Sequence, residues 1–132
     1  MQETRRQRLQ AVILEELAMV VPREVKDPRV PSITFTNVEV TPDGSQATVY
    51  VSMLGASQVN TDDPVAAKAA AEKMKDCIDG LQSAAGFLRR HLAKILTVRH
   101  IPTLIFKEDR GFENTIRVHD LLKKISSENE NK

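Results

Sequence analysis

One glycine constrains this chain more than any other residue. From Pro64 to Leu96 apolar side chains recur at helical spacing, and the only glycines in that run are Gly80 and Gly86. A glycine inside a helix costs about 1 kcal/mol relative to alanine. Gly86 follows Ala84 and Ala85 and precedes the basic stretch Phe87-Leu88-Arg89-Arg90. Small residues at such an interruption predict two helices meeting at close quarters, the second of them cationic. A bulky residue at 86 is then expected to damage stability or helix geometry. The plain alternative is a tolerated glycine without consequence.

The flanking segments supply a sheet. The first helix is expected to start near Thr4, which has capping-box spacing to Gln7. Leu9, Val12, Ile13, Leu17 and Val20 give it one apolar stripe, and Pro22 is expected to end it. Arg5, Arg6 and Arg8 in its first turns oppose the helix dipole, by about 0.3–1 kcal/mol each. Either an outside partner or simple solubility explains them. Residues 23–32 contain Pro28 and Pro31 and read as a connector. Ile33 to Val40 reads as a strand whose alternation shifts parity near Asn37, which a bulge or a bend explains. Thr41-Pro42-Asp43-Gly44 is a turn, and Ala47 to Met53 alternates as the second arm of a hairpin.

Asp62, Asp63 and Pro64 open the next helix, with stripe Ala67, Ala70, Ala71, Met74, Ile78 and Leu81. The third helix is expected to turn Phe87, Leu88, Leu92, Ile95 and Leu96 inward, leaving Arg90 and Lys94 on one outer face. Thr103 to Phe106 reads as a short strand, followed by a polar turn over 107–111. Ile116, Val118, Leu121, Leu122 and Ile125 suggest a last short helix, and 126–132 a flexible polar tail. The element order implies an α+β domain over 1–125. A helical crossover should place the third strand parallel to the second. The result is a three-stranded mixed sheet with helices packed on one face.

Composition narrows the function classes. The chain has 132 residues, no tryptophan, one tyrosine and four phenylalanines, which disfavours RNA recognition by stacking many bases. The single Cys77 cannot form an internal disulfide and points to a reducing, cytoplasmic setting. No apolar run reaches the roughly 18 residues of a membrane span. Glu15 and Glu16 interrupt what would otherwise resemble a signal segment. His91, His100 and His119 lack metal-ligand spacing, no phosphate loop or nucleophile elbow occurs, and no catalytic set is legible. We therefore expect no enzyme, metal or cofactor.

Charge distribution is more telling than the net +1. Residues 30–80 carry a net −4 and residues 81–110 a net +4. Arg89, Arg90, Lys94 and Arg99 concentrate positive charge on and just after one helix. Several cations on one surface suit a phosphate backbone, and arginine adds a planar fork of donors. A solvated helix face is the bland reading. A protein-interaction module docking through an exposed sheet edge, without RNA contact, is the rival one.

Three stretches carry a family resemblance. They are Arg23-Glu24-Val25-Lys26-Asp27-Pro28-Arg29; Val38-Glu39-Val40-Thr41-Pro42-Asp43 with Ala47-Thr48-Val49-Tyr50-Val51-Ser52; and Ala84-Ala85-Gly86-Phe87-Leu88-Arg89 with Arg99-His100-Ile101-Pro102-Thr103-Leu104-Ile105-Phe106 and Asp109. In order and spacing they resemble ribosome-binding factor A over roughly residues 5 to 125. The resemblance implies a type II KH-like domain whose Gly-x-x-Gly loop is replaced by an Ala-x-Gly kink, here Ala84, Ala85 and Gly86. The middle position departs from the serine associated with the family. The resemblance further implies a bacterial assembly factor without catalytic activity. Such a factor binds the small ribosomal subunit and its rRNA, assists late maturation and 5′-end processing, and supports growth in the cold. The expected RNA-facing residues are Arg89, Arg90, Lys94 and Arg99, with Arg8, Lys26 and Arg29 second. Asp27 is expected to brace Arg29, and the protein to be a monomer.

Overall fold

The computed structural model describes residues 2–53 and 63–109. The expected final helix, the polar tail and the loop before Asp63 lie outside them. The elements are α1 (Glu3–Glu24), β1 (Ile33–Val40), β2 (Gln46–Met53), α2 (Pro64–Ser83), α3 (Ala85–Ala93) and β3 (Thr103–Glu108).

The sheet order is β1-β2-β3. β1 and β2 pair antiparallel from Ile33 opposite Met53 to Val40 opposite Ala47, with a register shift between Phe35 and Asn37. That bulge lets Phe35, Val38 and Val40 all face the core despite their mixed spacing. Gly44 has φ 76°, the one positive value among the described residues, so the hairpin turn requires a glycine there. β2 and β3 pair parallel, from Gln46 beside Thr103 to Val51 beside Glu108. The strand thus runs two residues past the expected end at Phe106, because Lys107 and Glu108 keep parallel partners in Tyr50 and Val51.

All three helices pack their apolar residues against one sheet face. Ile13, Leu17, Val20, Leu81, Leu88 and Leu92 join Val49, Val51 and Leu104 in one buried cluster. The opposite face carries Thr34, Thr48, Tyr50, Ser52, Ile105 and Lys107, all exposed or half-buried.

Several local expectations are corrected. α1 begins at Glu3, and its N-cap Gln2 makes no side-chain cap bond, so Thr4 and Gln7 form no capping box. Gln7 instead reaches Glu3 Oε1 at 3.5 Å. Pro22 lies inside α1, which continues to Glu24. A proline removes its own N–H but leaves the next residues able to stay helical. Val12 is 36% exposed, and Val21 is buried in its place. Ala71 is exposed, while Cys77 and Gly80 complete the buried side of α2. Phe87 and Ile95 are 40% and 41% exposed, because α3 stops at Ala93 and presents only Ala85, Leu88 and Leu92 inward.

Candidate nucleic-acid interface

The joint between α2 and α3 is the centre of the candidate site. α2 opens as the sequence indicates: Asp63 Oδ1 accepts from the Val65 and Ala66 amides at 3.0 and 3.4 Å, with Pro64 in the first turn. It closes at Ser83, and Ala84 alone separates it from α3, with φ −87° and ψ −2°. The interruption therefore falls two residues before Gly86. Gly86 has no positive φ, and a Cβ placed on it would meet only Arg90 Nη1, at 3.7 Å. The expected crowding at 86 is absent. The crowded glycine is Gly80: a Cβ there would sit 2.7 Å from Val30 Cγ2, 3.3 Å from Asp27 Oδ2 and 3.4 Å from Arg29 Cβ. The connector after α1 packs down on the last turn of α2, and only a glycine leaves room.

α3 is anchored by Leu88 and Leu92, both fully buried, which turns Arg90 outward. Its N-cap, Ala84, has no side chain to satisfy the first amides. The positive end of the helix dipole at this N-terminus favours an anion. The Arg90 guanidinium reaches back toward the same first turn, over the bare Cα of Gly86. Lys94 is the C-cap and stays near helical geometry, so it follows Arg90 on the same face.

The remaining expected cations divide between two ends of the sheet. Thr103 donates to Ser45 O at 2.9 Å, which fixes the connector bearing Arg99 at the hairpin-turn end. Arg6 Nη1 reaches Val40 O at 3.4 Å, bringing the N-terminal half of α1 and Arg8 to that end too. Arg89 Nη2 donates to Ile101 O at 3.1 Å, so this arginine ties α3 to the connector. Lys26 and Arg29 precede β1 and lie at the opposite end. Among the described residues, no hydrogen bond or ion pair holds the side chains of Arg8, Lys26, Arg90, Lys94 or Arg99.

Arg29 differs. Its Nε lies 3.1 and 3.2 Å from the two Asp27 carboxylate oxygens, and its Nη2 lies 2.7 Å from Oδ2. The Arg29 amide also donates to Asp27 Oδ1 at 2.9 Å, and Nη2 reaches Ser83 Oγ at 3.4 Å. These bonds hold the Asp27 carboxyl below its usual range. Asp27, with Asp79 and Asp76 behind it, raises the Arg29 guanidinium further. The expected brace is thus present.

Sequence reasoning missed two glutamines. Gln82 Nε2 donates to Leu104 O at 2.9 Å, and its Oε1 accepts from Phe106 N at 3.2 Å. It occupies the outer edge of β3 as a neighbouring strand would. On the opposite edge Gln10 Oε1 accepts from Val40 N at 2.9 Å, beside Arg6 on Val40 O. A helix thus covers part of each sheet edge, which leaves less backbone for a partner strand. Gln82 offers no periodic signal, because its partners are backbone atoms.

Cys77 is fully buried, and burial pushes its thiol up to about 11, so it is packing rather than a nucleophile. His91 Nε2 lies 3.4 Å from Glu16 Oε2, linking α3 to α1. Among the described residues no cluster of three or more His, Cys, Asp or Glu is placed to hold a metal. No described helix is long and apolar enough to cross a membrane.

Comparison with known proteins places the sequence and the fold. A family model described as Ribosome-binding factor A matches residues 5–122. A ribosome-binding factor A from Desulfitobacterium hafniense is 35% identical, covering 98% of this chain and 93% of its own. One from Lactobacillus johnsonii is 40% identical, covering 95% and 94%. The solution NMR structure of a Thermotoga maritima protein assigned to ribosome binding factor A superposes with TM-score 0.61 at 33% identity, over 81% of this chain and 89% of that one. The Thermus thermophilus crystal structure shares the fold, with TM-score 0.58 at 23% identity over 78% and 94%. This KH-like α+β chain therefore belongs to the ribosome-binding factor A family.

Proposed function

We propose that this protein binds the small ribosomal subunit as a bacterial assembly factor, reading folded rRNA by shape and phosphate position. On this reading it assists late maturation and 5′-end processing, supports growth in the cold, and works in the cytoplasm as a single-domain monomer without catalysis. The observation that carries the reading is the first turn of α3. There the N-terminus of α3, the bare Cα of Gly86 and the Arg90 guanidinium, 3.7 Å from where a Cβ on Gly86 would stand, share one turn. A phosphate oxygen suits this turn: the helix dipole attracts it, Arg90 donates, and the missing Cβ permits close approach. Lys94 and Arg99 extend the cationic track toward the hairpin-turn end, and Arg8 borders it.

Such a binder favours whichever subunit conformation fits the ridge, so tighter binding to an immature particle shifts that particle's population. The coverage of both sheet edges by Gln10 and Gln82 counts against the rival edge-docking module.

The test is charge reversal, Arg90→Glu with Lys94→Glu, after circular dichroism has verified folding. Cosedimentation with purified small subunits across a salt series should fall at least tenfold at moderate salt, because each lost phosphate contact also loses its released counterion. Unchanged cosedimentation at every salt concentration would overturn the reading.

A further inference from the structure

We propose that Asp27, Arg29 and Gly80 lock the α2–α3 joint, and that Arg29 is a positioning residue for α3 rather than a phosphate ligand. This rests on the RNA-binding reading above and changes what one of its expected cations does.

The last turn of α2 is held from two sides. On one side Gln82 bridges Leu104 O and Phe106 N of β3. On the other the 25–32 connector closes over Gly80 and Ser83. Val30 lies against the bare Cα of Gly80, and Arg29 reaches Ser83 Oγ, which itself donates to Asp79 O at 2.9 Å. Asp27 sets the Arg29 guanidinium in place with a side-chain fork and a backbone bond. Ala84 follows at once, so whatever fixes residues 80–83 fixes the direction in which α3 leaves. A ridge aimed in advance loses less freedom on binding.

The same contacts make Arg29 a poor phosphate ligand. Its fork is already occupied by a carboxylate, and Asp76 and Asp79 add negative charge around it. A phosphate approaching Arg29 would face three carboxylates. Arg90, Lys94 and Arg99 carry no such partners among the described residues.

The two roles predict opposite signs for Asp27→Asn. If Arg29 contacts phosphate, freeing it from Asp27 leaves binding unchanged or tightens it. If the pair is a lock, the same substitution weakens binding to purified small subunits by about three- to tenfold, the coupling expected within one charged network. Arg29→Gln should weaken binding similarly, and the double variant should be no worse than either single one. A second readout needs no RNA: amide hydrogen exchange at 84–88 should accelerate in Asp27→Asn while core exchange at Val49 and Val51 stays put. Both readouts must move. Unchanged or tighter binding, or unaltered exchange at the joint, overturns the lock. Wild-type protein that ignores small subunits while the exchange result holds would overturn the RNA reading and leave the joint lock standing.

Discussion

Two glycines on one pair of helices have opposite roles. Gly80→Ala drives a methyl within 2.7 Å of Val30 Cγ2. Overpacking of this kind costs about 1–3 kcal/mol, against a helix-propensity gain of about 1. We expect net destabilisation, read as a lower midpoint in urea unfolding. Gly86→Ala meets only Arg90 Nη1, at an ordinary contact distance of 3.7 Å, and should stabilise the fold by about 0.5–1 kcal/mol. It should nevertheless weaken binding to small subunits, because the added methyl stands where a phosphate would approach. Stability and binding moving in opposite directions is the signature; both falling together would instead mean that Gly86 is structural. A third residue-scale prediction concerns Asp43, which accepts from Thr41 Oγ1, Ser45 N and Ser45 Oγ, and whose carboxyl is lowered from 3.8 to about 2. A depressed folded-state value gives stability that is complete above the unfolded value and lost as pH falls. The stability gap between wild type and Asp43→Ala should therefore shrink from pH 4 toward pH 2. A gap that stays constant over that range refutes the assignment. The sequence exposed Gly86 because it interrupts a cationic pattern. It hid Gly80, because the atoms that crowd it belong to Val30 and Asp27, some fifty positions earlier in the chain.

At the scale of elements, pattern and contact divide the outcome. The hairpin, its bulge near Asn37, the Asp63 cap and the parallel third strand were legible, because each rests on period, turn chemistry or crossover topology. Spacing alone misplaces Val12, Phe87 and Ile95, since an apolar residue turns inward only where a neighbour waits. α3 is nine residues long and touches the core through Ala85, Leu88 and Leu92. The cationic stretch was legible as charge, but its partners were not. Nothing in the spacing told that Arg89 would turn to Ile101 O while Arg90 turned to the first turn of its own helix. Gln82 carries the corresponding prediction. Gln82→Ala removes both its bonds to β3, and leaving buried backbone groups unpaired costs about 1–3 kcal/mol. It also uncovers the edge of β3. We expect a lower melting temperature together with concentration-dependent self-association in analytical ultracentrifugation. A variant that is destabilised yet strictly monomeric would limit Gln82 to holding the helix.

For the whole molecule, charge is partitioned rather than abundant. The acidic stretch of 30–80 builds the hairpin and most of α2, and the basic stretch of 81–110 builds α3 and β3. Packing the described helices on one sheet face leaves α3 at a surface, with its N-terminus set by the joint and its C-terminus by the connector to Thr103. On the proposed reading, that surface is the part that meets RNA. The most direct test is photocrosslinking of the protein to purified small ribosomal subunits, with RNA-linked peptides located by mass spectrometry. Crosslinks concentrated between Gly86 and Arg99, and absent after Arg90→Glu with Lys94→Glu, are what the account predicts. Crosslinks confined to the open sheet face around Tyr50 and Lys107, with the α3 peptides untouched, would contradict it.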